Sequence, residues 1–344
     1  MAKQALILAG GEGTRLRPLT LTVPKPVMPL ASRPFLTFLL DWVHGHGVED
    51  VVLSCGYRSD AVEDVLGDEY AGMSLHYVHE ETRLGTAGPV RLALDAGLLH
   101  ERLFVLNGDV LTDADLGAEL AQHEATGARV TLGLIAVEDT SSYGVVPTQE
   151  GGEVDAFLEK QEGPVPTNRV NGGMYIVERE VVEGLDAGRP ISFEREVFPG
   201  LVGEGLYGYQ AEGYWIDIGT PDRYLEATYD LLGGKVDGGL PPRDETGSLV
   251  CEGSIVSGAH IGPQSCIGTR CSVGSDSEVA RSVLFDGVRV GADARIESAV
   301  LADGVQVGDG AKVAAGAVIG KDAVVAPRAV VGENARVAPE EHVA

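Results

Sequence analysis

Gly10-Gly11-Glu12-Gly13, followed by Thr14, Arg15, Leu16, Arg17 and Pro18, stands directly behind the apolar run 5–9. Glycines let backbone N–H groups close around an anion, and Arg15, Arg17 and Lys25 add cations within a short stretch. That combination suits a nucleoside triphosphate held in a local pocket. The run is no Walker loop, which ends in Gly-Lys-Ser/Thr. Leu16 stands where a dinucleotide fingerprint begun at Gly11 needs a glycine. An ordinary strand-to-helix turn is the plainer alternative. The cations, and the prolines at Pro18, Pro24, Pro26 and Pro29, argue against it.

Phosphoryl and nucleotidyl transfer need positioning, cations and metal-held oxygens rather than a covalent partner. Arg15 is suited to neutralise a leaving pyrophosphate. Lys25, between two prolines, sits on a stiffened loop, although a solvated loop lysine would look similar. Asp109 ends Asn107-Gly108-Asp109, and Asp217 lies in Trp215-Ile216-Asp217-Ile218-Gly219. Two such carboxylates suit a Mg²⁺ that keeps waters and bridges substrate phosphates. Taken singly, Asp109 reads equally well as a turn former and Asp217 as the cap of a helix starting near Pro221. Glu159-Lys160 offers a hydroxyl acceptor beside a phosphate-binding cation, or an exposed strand-end pair. Tyr143-Gly144 and Asn171-Gly172-Gly173 supply the amide and backbone contacts that polyols use.

These residues need a scaffold. Strand-like runs at 5–9, 51–55, 75–78 and 103–106 alternate with helical segments such as 34–44 and 87–98. The pattern predicts a parallel, Rossmann-like α/β sheet binding ligands at the carboxyl ends of its strands. A second set, 130–137, 143–146, 174–177 and 206–209, extends that sheet. The expected domains are a nucleotidyltransferase domain at 1–232, a Gly/Pro-rich linker at 233–247 and a repeat domain at 248–344. In the last, Ile255, Ile261, Ile267, Val273 and Val279 are six apart, as are Val307, Val313, Ile319, Val325, Val331 and Val337. Ala311, Ala317, Ala323, Ala329 and Ala335 follow in step, and Leu284, Val290, Ile296 and Leu301 bridge the two series. A hexapeptide period means a parallel β-helix, with an aliphatic inward and a small residue at each corner.

Of 344 residues, 52 are acidic and 26 basic, a net charge of -26, so nucleic acid is not an expected partner. No run is apolar for long enough to cross a bilayer, and no signal-peptide pattern opens the chain, which reads as a cytoplasmic protein. Cys55, Cys251, Cys266 and Cys271 lack zinc-ligand spacing and read as reduced, buried thiols.

Together the motifs resemble the sugar-1-phosphate nucleotidylyltransferases. The matches are the 10–20 run, Pro24-Lys25-Pro26, Asn107-Gly108-Asp109, Phe157-Leu158-Glu159-Lys160, Asn171-Gly172-Gly173-Met174-Tyr175 and the 215–221 run, in the family's order. Leu84-Gly85-Thr86-Ala87-Gly88-Pro89, Ser192-Phe193-Glu194-Arg195-Glu196-Val197-Phe198-Pro199 and a left-handed β-helix tail make it most similar to the guanylyltransferases acting on mannose 1-phosphate. The resemblance implies attack of a sugar 1-phosphate oxygen on the α-phosphorus of an NTP. Arg15, Lys25 and Lys160 would be catalytic, with Lys160 gripping the sugar phosphate. Leu8, Gly10, Gly11, Gly13, Thr14, Glu80, Gly85, Thr86 and Asp109 would bind the nucleotide. Gly144, Glu159, Lys160 and Asn171 would hold the sugar phosphate, and Asp109 and Asp217 a Mg²⁺. Small-molecule substrates and a homo-oligomer joined through the β-helix are the implied partners.

Thymidylyltransferases of this family read the base with a glutamine at the position matching Glu80. A carboxylate only accepts hydrogen bonds, and guanine presents two adjacent donors, so Glu80 favours GTP. Glu81 is the alternative contact. Arg83 departs from the family's usual proline, and Gln161 stands where proline often follows Glu-Lys, a change expected to be harmless. The competing assignments are dTTP, UTP or ATP with glucose 1-phosphate or a cyclitol phosphate, a silent regulatory subunit, and an acyl-transferring β-helix. The retained Arg15, Lys25, Asp109, Lys160 and Asp217 disfavour the second. The third lacks a histidine on a protruding loop, since His260 and His342 alone lie in the tail.

Overall fold

The computed structural model describes residues 3–160, 163–256 and 258–344, so Gln161 lies outside the described residues. The chain divides into two compact units, Met1–Gly11 with Leu39–Trp215 and Glu12–Phe38 with Ile216–Ala344.

The first unit is built on a mixed sheet. Gln4–Leu8 lies between Asp50–Cys55 and Arg102–Asn107, parallel to both, and Met73–His79 continues the parallel run beyond Asp50–Cys55. Leu6, Ile7, Val51, Val52, Leu53, Leu103 and Val105 are wholly buried. Such continuous apolar strands belong to a sheet covered on both faces. The second set of expected strands is also present, but Arg169–Glu178 runs antiparallel to Arg102–Asn107 and pairs antiparallel with Val130–Ala136. Leu206–Gln210 then adds in parallel to Val130–Ala136. The pairing of Arg169–Glu178 with Val130–Ala136 shifts register between Asn171 and Tyr175, where Gly173 takes a φ of +72°. This bulge re-aims the side chains on either side of it.

Helix Leu116–Thr126 starts at Asp115, whose carboxylate accepts from Gly117 N at 2.8 Å and Ala118 N at 3.0 Å. On its buried face Glu119 is 1% exposed and its Oε1 has no hydrogen-bond partner. Burial pushes its carboxyl well above the usual 4.5. A raised carboxyl means the folded state holds a proton that the unfolded state releases, so stability is full below the unfolded value and falls as pH rises. Glu119→Gln removes that dependence. Urea unfolding at pH 5 and pH 8 should show the wild type losing stability relative to the variant, by about 1.4 kcal/mol for each pH unit of the displaced titration crossed. Parallel pH profiles would contradict a neutral Glu119.

In the second unit the tail forms the expected left-handed β-helix, with strands stacked on three parallel sheets of six, five and five among the described residues. Val250, Ile267, Leu284, Leu301, Ile319 and Val337 stack in one column. The column advances by 17, 17, 17, 18 and 18 residues, and the 17-residue coils contain the five-residue steps read in the sequence. One inward position is corrected. Ile255 is 64% exposed, and its neighbour Val256 packs on the β-helix core instead. The first coil also takes a five-residue step, from Val256 to Ile261, so counting back by six lands one residue short.

Ala311, Ala317 and Ala323 are 0% exposed at corners whose preceding residues, Gly310, Gly316 and Asp322, have positive φ. Ala317→Leu forces a branched chain into that corner and should cost roughly 1–3 kcal/mol, read as a lower urea midpoint. An unchanged midpoint would show that the corner has room. One outer face of the coils is covered within the same unit. Cys266, Val283, Val300 and Val318 are buried there, Ser32 Oγ meets Cys266 Sγ at 3.2 Å, and Tyr224 of helix Pro221–Gly233 lies 6.4 Å from Phe285, ring to ring. All four cysteines are free, and burial pushes the Cys55 and Cys266 thiols up to about 12.

Candidate active site

Within the first unit, the parallel strands bring several of the expected residues to their carboxyl ends. Leu8 pairs with Asn107, and Gly108 N donates to Leu8 O at 3.0 Å. A Cβ on Gly108 would stand 2.6 Å from that carbonyl, so only glycine lets the chain turn there toward the half-buried Asp109. Gly10 lies against Glu80 and Gly56, each of which follows the end of a parallel strand. The Glu80 carboxylate accepts from Ser54 Oγ at 2.9 Å and from Leu84 N at 3.0 Å. Those bonds fix its orientation and leave acceptor capacity on a group with about four lone-pair sites. Glu81 is exposed, as is Arg83.

Gly85, at φ +81°, packs on the carbonyl of Ile191, which accepts from the amides of Thr86, Ala87 and Gly88 at 3.0, 2.9 and 3.3 Å. The Thr86 hydroxyl donates to Glu194 at 2.7 Å. The amide and hydroxyl of Thr86 are thus engaged inside the fold and hold this loop in place.

On the other side of Arg102–Asn107, Gly144 pairs with Glu159 across two short strands. A Cβ on Gly144 would lie 3.0 Å from Glu159 Oε2. Lys160 is exposed, at φ +44°, with Nζ 3.7 Å from Glu159 Oε1. Asn171 Nδ2 donates to Tyr175 Oη at 2.9 Å, and its Oδ1 accepts from Gly173 N at 3.0 Å. Gly173 in turn packs on the Asn107 side chain. Trp215 Nε1 donates to Gly172 O at 2.8 Å and its ring meets Tyr143 edge-on at 5.4 Å.

The second unit carries Arg15 and Lys25. Gly13 takes φ +61° and opens a single 3₁₀ turn, Thr14–Leu16, with Thr14 and Arg15 exposed. Thr20 Oγ1 donates to Gly13 O at 2.9 Å. Lys25 is 8% exposed, and its Cβ and Cδ cover Gly13, 3.2 and 3.5 Å from where a Cβ would sit. Gly11 has open space around it. Arg15 and Asp217 converge on Gly219, where a Cβ would lie 2.6 Å from Arg15 Nη2 and 2.8 Å from Asp217 Oδ1. Asp217 Oδ1 accepts from Gly219 N at 3.2 Å, and Thr220 Oγ1 caps helix Pro221–Gly233. The helix-cap alternative for Asp217 therefore falls away. Its carboxylate, 19% exposed, closes its own turn beside an arginine. Glu194 is the functional candidate that sequence reasoning passed over, quoted only as part of a motif. A charged residue amid Phe193, Val197 and Phe198 was the available signal.

Residues 4–233 match the nucleotidyl transferase family, and residues 245–331 match the EIF2B subunit epsilon LbH domain. The chain is 42% identical over 291 residues to the mannose-1-phosphate guanylyltransferase of Mycobacterium tuberculosis, covering 83% of this chain and 80% of that one. It is 36% identical to mannose-1-phosphate guanylyltransferase 1 of Arabidopsis thaliana, covering 83% and 82%. A crystal structure of HddC from Yersinia pseudotuberculosis superposes with a TM-score of 0.57 at 27% identity, over 65% of this chain and 97% of that one. A phosphate-suited glycine turn, the cations beside it and a family match over residues 4–233 lead to one conclusion: this chain belongs to the nucleotidyl transferase family, with a left-handed β-helix appended.

Proposed function

We propose that the protein transfers a guanylyl group from GTP to mannose 1-phosphate, releasing pyrophosphate and forming GDP-mannose. The carrying observation is the 42% identity to a mannose-1-phosphate guanylyltransferase across four-fifths of its length. Glu80 supports the base, since an anchored acceptor-only group matches the paired donors of guanine and repels the carbonyls of thymine.

A sugar 1-phosphate oxygen attacks the α-phosphorus in line, the bond to the β-phosphate oxygen breaks, and pyrophosphate departs. Arg15 and Lys25 stabilise the transferring and leaving phosphates. Leu8, Gly10, Gly11, Gly13, Thr14, Glu80 and Gly85 bind the nucleotide, with Thr86 holding the loop. Lys160 grips the sugar phosphate, while Gly144, Glu159 and Asn171 hold the hydroxyls. Among the described residues no three His, Cys, Asp or Glu side chains gather as a metal cage. Hard carboxylate oxygens fit Mg²⁺, which binds by one or two carboxylates and completes its shell from phosphates and water. Asp109 and Asp217 would hold it, and it would supply charge neutralisation on the phosphates. The β-helix, with two outward sheets not covered by the residues that cap its third, serves assembly into a homo-oligomer.

The test is pyrophosphate release from each of GTP, dTTP, UTP and ATP paired with mannose or glucose 1-phosphate. The GTP–mannose 1-phosphate pair should have the highest kcat/KM. Preference for another pair would replace the substrate assignment, and silence with all pairs would overturn the transferase reading.

A further inference from the structure

A single carboxylate connects the two sides of the proposed site. Glu194 sits in the turn Phe193–Val197, whose one aromatic residue, Phe193, is fully buried. Its Oε2 accepts from Thr86 Oγ1 and from Ser192 Oγ, both at 2.7 Å, and Phe193 N donates to Thr86 Oγ1 at 2.9 Å. Its Oε1 faces the hydroxyl of Tyr175 at a long 3.5 Å. Tyr175 is 0% exposed and ringed by Phe193 and Phe198, at 5.8 and 5.1 Å between ring centres. Asn171 Nδ2 already donates to the Tyr175 oxygen, so the phenol proton points to Glu194. Burial holds that phenol well above its ordinary pKa, and the nearby Glu194 charge acts in the same direction, so the hydroxyl stays a donor.

The chain of donors has one polarity. Glu194 is an acceptor, Tyr175 donates to it and accepts from Asn171, and Asn171 Oδ1 is taken by Gly173 N. The amide of Asn171 therefore cannot flip without losing both bonds, and it keeps one N–H for a ligand oxygen. The loop Leu84–Gly88 is held by the same carboxylate through Thr86.

We propose that Glu194 is a positioning residue that orients Asn171 through Tyr175 for the sugar phosphate and holds the Gly85–Thr86 loop for the nucleotide. This rests on the residue roles proposed above. It predicts a pattern across three isosteric substitutions. Tyr175→Phe cuts only the link to Asn171 and should raise KM for mannose 1-phosphate about 3- to 10-fold, leaving KM for GTP within twofold. Thr86→Val cuts only the loop link and should raise KM for GTP alone. Glu194→Gln keeps a carbonyl acceptor for only one of the two sides and turns its NH2 on the other, so it should raise at least one of the two KM values. The double variant Glu194→Gln with Tyr175→Phe should show no rise for mannose 1-phosphate beyond that of Tyr175→Phe alone, because Glu194 reaches Asn171 only through Tyr175.

Thermal unfolding of each variant is recorded in parallel, since a packing role alone would lower Tm without separating the two KM values. Both KM values unchanged in Glu194→Gln, or an unchanged mannose 1-phosphate KM in Tyr175→Phe, overturns the inference. The wild type in the same assay reports on the underlying function. If it turns over a different pair, the variants are compared on that pair. If it turns over none, affinities for mannose 1-phosphate and GTP by calorimetry replace the KM values, with the same pattern required.

Discussion

Asp217→Asn is expected to lower Mg²⁺-dependent pyrophosphate release by roughly 10³-fold, with the thermal midpoint within a few degrees of wild type. The substitution keeps the shape and the acceptor for Gly219 N, so the turn of Asp217 survives. What it removes is a formal negative charge from a hard oxygen pair. A metal ion contributes several kcal/mol of charge stabilisation in phosphoryl transfer, and each 1.36 kcal/mol is tenfold in rate. Raising Mg²⁺ should recover part of the loss if binding of the ion is what fails. Wild-type turnover at low Mg²⁺ would remove Asp217 from the metal site.

Gly219→Ala should be nearly as damaging without touching a reacting group. Its Cβ would stand 2.6 Å from Arg15 Nη2 and 2.8 Å from Asp217 Oδ1, distances that no real contact keeps. Both atoms are the mobile ends of side chains, and Gly219 does not hold a positive φ. The fold can therefore accept the methyl, while Arg15 and Asp217 must move apart by up to an ångström. Misplacement on that scale costs about 10²-fold in rate. The measurement is kcat with saturating substrates alongside the thermal midpoint. Full activity would mean that this pair does not serve the chemical step in the arrangement seen here.

Much of the fold is legible in the residues themselves. Three of the four parallel strands are mostly apolar because both faces are covered, whereas Met73–His79 exposes Ser74 and His79; the ends of all four fall within two residues of the expected ones. The β-helix was readable because each inward aliphatic repeats with its coil. Ile255 was misplaced because a five-residue step leaves no mark until several coils are aligned. The direction of Arg169–Glu178 was not readable, since a buried strand has the same composition whichever way it runs. The partner of the Thr86 hydroxyl was not legible because it lies 108 positions away, at Glu194. Asp217 reads as a cap candidate because an acid stands near the helix start at Pro221, yet the capping position is the residue directly before that proline. Thr220, closer to the helix, took that place.

The membership of Glu12–Phe38 in the C-terminal unit carries a consequence for how the protein is made. The segment bearing Arg15 and Lys25 leaves the ribosome early, yet the surface it packs on, around Cys266 and Phe285, comes from the last third of the chain. While Leu39–Trp215 is being translated, roughly 10–35 s at 5–20 residues per second, that stretch lacks the coil surface of its own unit to settle against. The turn bearing Arg15 and Lys25 is thus completed only after the coils of its own unit have been made, and a nascent chain stalled before they emerge would carry a formed sheet and an unfinished turn.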